Sequence, residues 1–244
     1  MKYTWMLAAM MLLPVGVMAQ KAAPLGTIIP VQLDKDINTG KVHAGQEIKA
    51  TVTQGVPGTQ IRKGSKVLGQ IVRTDFSQGG KAQVEFRFNA LNLNGKRVPL
   101  VADLRVLASP IEIEDAQSGM YGPDAGVDVK HEITRQIGGE VNYRGGGEGS
   151  VRAGSLKVGQ SVPDGVMAQP RAQFSQLCRG VIGGNSQPQA MWLFSSDACG
   201  VYGYGNIKIS HAGRTDPVGD ILLTSESKKL VINSRSGMLL RVED

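Results

Sequence analysis

Cysteine is nearly absent from this chain: Cys178 and Cys199 are the only two in 244 residues. A redox-active pair would need Cys-x-x-Cys spacing and a neighbour that stabilises the thiolate, and that spacing is missing. In an exported chain, an isolated pair at this separation is expected to form one disulfide closing one loop, contributing about 3 kcal/mol by the chain-entropy estimate. Histidine is scarce too. His43, His131 and His211 are dispersed, with no His-x-x-x-His or His-x-His, so neither a metal site nor a cofactor is expected. A Gly-x-Ser-x-Gly nucleophile elbow is lacking. Gly145-Gly-Gly-Glu-Gly has neither the Lys-Ser/Thr of a phosphate loop nor a helical pattern after it. Glu112, Glu114 and Asp115 lie close in sequence without Asp-x-Asp-x-Asp-Gly chemistry, and read as a solvated loop. With the usual catalytic pairings missing, the expectation is a protein that is not an enzyme.

Runs of basic charge are also missing. Lys and Arg number 27 against 21 Asp and Glu, a net charge of +6, and they occur singly or in pairs. That distribution predicts a solvated surface rather than a nucleic-acid footprint, and is compatible with weak attraction to a glycan or an anionic envelope surface. Beyond residue 19 no segment is apolar enough to span a membrane as a helix. The first nineteen residues do differ. Lys2 is their only charge, an apolar middle runs from Trp5 to Pro14, and Val17 and Ala19 occupy small-residue positions. This is the pattern of a secretory signal peptide, residues 1–19, cleaved before Gln20. The chain is therefore expected to be exported, to the periplasm or outer envelope or out of the cell, with no transmembrane helix after cleavage.

What the chain has in quantity is turn chemistry, with 32 Gly and 11 Pro, around short β-branched runs. Strands are expected at Thr27–Leu33, Glu47–Gln54, Lys66–Arg73 and Ala82–Leu93, separated by Asp36–Gly40, Gly55–Gly58, Ile61–Ser65 and Ser77–Gly80. Pro30 cannot donate to a ladder, which predicts an edge strand or a bulge there. Asn94-Gly95 is the strongest hairpin signal, and Lys96–Leu107 is expected to return beside the preceding strand.

Several of these segments, in order, resemble the TrbI family: Gly26-Thr-Ile-Ile-Pro-Val-Gln-Leu, Asp36-Ile-Asn-Thr, Ala50-Thr-Val-Thr-Gln-Gly-Val, and Ile61-Arg-Lys-Gly-Ser-Lys-Val-Leu-Gly. Leu91-Asn-Leu-Asn-Gly-Lys, then Asp115, Gly119 and Gly122, then Val127-Asp-Val-Lys-His131 with Arg135 and Gly138-Gly139, continue the likeness. The resemblance implies a β-barrel scaffold subunit of conjugation or type IV secretion machines in the bacterial envelope. Two departures limit it. A signal peptide stands where family members carry an inner-membrane helix, and the polar Glu140–Ser150 stands where they open into an apolar helical hairpin. Four Gly and the charges within that stretch oppose a membrane-inserted helix.

The layout expected is all-β: an antiparallel barrel domain over 24–163 with a Gly-rich loop at 140–150 and a last strand near Ser155–Val162. A linker over 164–174 would then lead into a small disulfide-stapled β domain over 175–244. Trp192, Phe194, Tyr202 and Tyr204 form the densest aromatic cluster there. Filling a small core is the ordinary use of such rings. The alternative is a ligand or partner surface stacking on a sugar or a peptide. The function expected is a non-catalytic envelope module that associates with itself or with envelope proteins, the alternative being a glycan- or peptide-binding protein.

Overall fold

A computed structural model describes residues 23–76, 80–121, 132–144, 149–171 and 187–244. The expected signal peptide, His131 and Cys178 lie outside them, so the expected bridge to Cys199 is not placed. The chain begins with β1 (Ile28–Leu33), β2 (Ile37–Asn38), β3 (Glu47–Val52), β4 (Lys66–Phe76), β5 (Ala82–Leu93), β6 (Lys96–Pro99) and β7 (Ala102–Ala108). A short helix, α1 (Pro110–Gln117), precedes β8 (Gly119–Tyr121), β9 (Glu132–Arg135), β10 (Val141–Arg144), β11 (Ser150–Ala153), β12 (Leu156–Val162), β13 (Gly165–Ala168) and β14 (Gln189–Ala190). The last strands are β15 (Gly200–Tyr202), β16 (Ile207–His211), β17 (Ile221–Ser225), β18 (Val231–Ile232) and β19 (Gly237–Val242).

Alternation drives the first sheet. In β5, Ala82, Val84, Phe86 and Phe88 point to one face and are buried, with Gln83, Glu85 and Arg87 opposite them and partly exposed. The sheet runs β15-β7-β19-β1-β3-β4-β5-β17-β16, with β6 hairpinned onto β5. It curls until the Leu104 N–H of β7 reaches the Ala212 carbonyl, just past β16, at 2.8 Å, which nearly closes a barrel. Inside lie Ile29, Val31, Val67, Phe86, Leu104 and Leu240, among others. Asn94 and Gly95 both take positive φ, 52° and 81°, as a type I′ turn requires, in the expected hairpin between β5 and β6.

A second sheet runs β14-β13-β12-β11-β10-β9-β8, and β2 and β18 form a separate two-stranded ribbon. Between the second sheet and the barrel lies another core, in which Val151, Val166 and Ala168 meet Ile28, Val106 and Leu239 from β1, β7 and β19. Those three barrel strands are thus buried on both faces, which is why β7 and β19 are buried along their whole length. Helix α1 closes one side of this layer with Ile113 and Ala116. Its start is set by Ser109, whose hydroxyl accepts from the Glu112 N–H, and by Pro110 in the first turn.

Five expectations are corrected. The C-terminal segment is no separate stapled domain: β15, β16, β17 and β19 are staves of the barrel itself, β19 lying between β1 and β7. A barrel over 24–163 alone would lack them. Ser155–Val162 is not a barrel strand, because β12 pairs with β11 and β13 in the second sheet. The stretch expected as a linker contains β13, paired with β12 and β14. Lys96–Leu107 does not return as one strand, since β6 ends at Pro99 and β7 pairs with β19 and β15. Pro30 sits in an interior strand, without cost: the β1–β3 ladder begins at Val31↔Val52, so the missing N–H interrupts no rung.

Candidate functional site: the seam beside Trp192

Beside Trp192, one buried side chain bonds across from the barrel to the second sheet. Gln54, just past β3 and buried, donates from Nε2 to the Val166 carbonyl at 3.0 Å and accepts the Trp192 N–H on Oε1 at 2.6 Å. Trp192 needs that bond, because its φ of 54° is left-handed, a conformation that costs a non-glycine residue about 1–2 kcal/mol. Gly165 makes the crossing possible: a Cβ there would lie 2.6 Å from Trp192 Cα and from Gln54 Oε1. The indole then passes over Gly237 of β19, where a Cβ would come within 3.0 Å of Trp192 Cζ3.

Along this seam runs an open groove of about 550 Å³, lined by Lys63, Gln117, Arg144, Asp164, Trp192 and Leu193 among others. Lys63 and Asp164 bridge it at 2.5 Å, tying the loop before β4 to the β12–β13 turn. The lining sets Val162, Pro163, Trp192 and Leu193 beside Lys63, Arg144 and Asp164, mixing apolar and charged side chains.

The sequence-predicted aromatics do not assemble into a surface. Phe194 is 0% exposed and Trp192 6%, the two rings meeting edge to face at 6.1 Å between centroids. Both belong to the inter-sheet core with Tyr202 packed against them, whereas Tyr204 packs against the barrel core. Their hydroxyls are spent inside: Tyr202 accepts the Cys199 N–H at 3.2 Å, and Tyr204 pairs with Ser236 Oγ at 2.6 Å and accepts the Asn233 N–H at 3.0 Å. Burial raises both phenols above their ordinary pKa. Only Trp192 reaches the groove. Gln54, Lys63, Arg144 and Asp164 were not legible as site residues, and the one local signal was the Asp164-Gly165 turn dipeptide.

Two buried charge networks lie nearby, the first between β7 and the second-sheet side, the second within the barrel sheet. In the first, Glu140 accepts from Ser196 Oγ at 2.5 Å and the Ser196 N–H at 2.9 Å, and Arg171 reaches it at 2.8 Å. Arg105 donates to the carbonyls of Arg171 and Ser196. In the second, Asp103, fully buried on β7, accepts on Oδ2 from Arg214 Nε at 3.0 Å and Arg241 Nε at 2.9 Å, and Arg241 also holds Glu243. Burial, reinforced by Arg214, lowers Arg105 to about 10. Burial and the contact with Asp103 push the Glu243 carboxyl from 4.5 up to about 7. The folded protein therefore holds that proton more tightly than the unfolded chain, and stability falls as pH rises between those two values. Thermal melts from pH 4.5 to 7 should show a Tm decline that Glu243→Gln flattens; equal slopes in both proteins would contradict the assignment.

The ring nitrogens of His211 lie 2.6 Å from the Asp220 carbonyl and 3.0 Å from the Thr215 hydroxyl, pinning the turn between β16 and β17. Among the described residues no group of three His, Cys, Asp or Glu is placed to hold a metal ion, and no helix is long and apolar enough to cross a membrane. No family model, curated protein or solved structure matches the chain.

Proposed function

We propose that this chain is a non-catalytic, exported interaction module of the bacterial envelope, a barrel scaffold that works within a conjugation or type IV secretion assembly. The observation that carries this reading is where the chemistry lies. Trp192, Phe194, Tyr202 and the Glu140–Arg171 network are consumed between the two sheets, Tyr204 and the Asp103 network belong to the barrel, and isolated apolar side chains such as Leu156 and Ile111 face outward. Edges and scattered apolar contacts serve protein association better than they serve a reaction. The ordered likeness of the early segments to TrbI proteins supplies the machine.

Deletion in the native host should reduce conjugative transfer at least about ten-fold, a loss of the size expected when an assembly misses a specific interface. A photo-crosslinker at Leu156 should join the protein to envelope components of the transfer machine. Unchanged transfer, with no crosslink to those components, overturns the proposal. The second reading, a glycan- or peptide-binding protein, rests on the Trp192 groove. Trp5 lies in the leader, so Trp192 is the only tryptophan of the exported chain. Its emission should stay flat on titration with oligosaccharides or peptides if the scaffold reading holds, and should saturate if the groove is the site.

A further inference from the structure

Among the described residues, the end of β4 forms an open edge whose sequence is its own complement. β3 pairs with β4 only over Lys66–Gln70, and the Ile71 backbone is taken by Gln46 and Gly45. From Val72 to Phe76 the β4 backbone bonds, among the described residues, to β5 alone, leaving its other side without a ladder, although the Thr74 hydroxyl donates to the Thr39 carbonyl at 3.4 Å. A bulge between Ile71 and Arg73 swings this last stretch out of line with β3. Phe76, at its end, is 56% exposed, an unusual position for a large ring on an unpaired strand.

The segment reads Val72-Arg73-Thr74-Asp75-Phe76. Laid antiparallel against a second copy about a two-fold axis through Thr74, Arg73 meets the partner's Asp75, and Val72 meets the partner's Phe76. Both charged residues lie on the outer face with Glu85 and Gln83, their cross-strand neighbours in β5. Arg73 already touches Glu85 at 3.2 Å, and Asp75 is within 3.4 Å of Gln83 Nε2. Pairing would extend these into one row, Glu85, Arg73, the partner's Asp75, the partner's Gln83, with alternating charge at its centre. The apolar pair is aromatic against β-branched, a favoured cross-strand combination. A two-fold axis repeats each contact, so a single complementary pair becomes two.

We infer that β4 residues 72–76 form an isologous docking edge for a second copy of this chain, joining two barrels through one continuous sheet. The inference gives the scaffold reading its self-association surface, and it fails separately from that reading, since dimerisation is measured on the purified protein and envelope function in cells.

Sedimentation of the exported chain across micromolar to millimolar concentrations should show a monomer–dimer equilibrium. Arg73→Asp puts like charges opposite each other at both symmetry-related contacts, as does Asp75→Arg, so each variant alone should dimerise about ten-fold more weakly or worse. Mixed in equal amounts, the two should form a heterodimer, because Asp at 73 then faces Arg at 75. Thermal melts of each variant separate loss of pairing from loss of folding, and the mixing result can be reached only by folded chains. A strict monomer at every concentration overturns the inference. So does a dimer indifferent to both substitutions, or a mixture that stays monomeric.

Discussion

Asp103→Ala should cost about 3–5 kcal/mol in urea unfolding. Asp103 has no exposed surface, and its Oδ2 serves both Arg214 and Arg241, whose side chains are themselves only 15% and 10% exposed. Removing it leaves two cations in a layer that already holds Arg105, whose pKa is depressed chiefly by burial and next by Arg214. Uncompensated buried charge is what makes breaking such a cluster expensive, whatever the intact cluster contributes on balance. The midpoint should move while the denaturant slope stays near the wild-type value, because the same surface is exposed on unfolding. A loss below about 1 kcal/mol would mean that the cluster is solvated like a surface pair.

Phe194→Ala should be as severe, about 3–5 kcal/mol, by truncating a fully buried ring. Phe194 packs edge to face on Trp192, its N–H bonds to the Met191 carbonyl at 2.9 Å, and it makes an isolated parallel bridge with Ile137. The cavity would open between the barrel and the second sheet, so the variant should melt earlier and shift Trp192 emission to the red. A ring used only for stacking on a ligand would behave otherwise: its removal would leave stability unchanged and abolish binding. Calorimetry on the two proteins distinguishes these outcomes.

Local pattern made β3, β4 and β5 legible, because each alternates cleanly and is bounded by Gly, Asn or Pro. The helix was missed although Ser109-Pro110 with Glu112 is a sound start signal; the acids of its polar face suggested a loop instead. β7 shows the limit of pattern reading. Its Asp103 and Arg105 suggest a solvent face, yet the strand is buried on both sides, and the arginines that balance Asp103 come from 111 and 138 residues away. The site was obscure for the same reason. Gln54 looks like an ordinary strand-end polar residue until Val166 and Trp192, 112 and 138 residues further on, take its amide. The aromatic cluster was found by composition alone, and core filling, its ordinary use, describes Trp192 and Phe194.

The pairing of β1 with β19 sets residues 28–32 against residues 237–241. Nearly the whole chain must therefore be present before this rung can form, and the loop-closure entropy is met before the contacts repay it. Barrel closure is thereby expected to come late in folding. Until β19 is in place, β1 and β7 have no stave between them, so a strand distant in sequence decides whether the two parts of the barrel join.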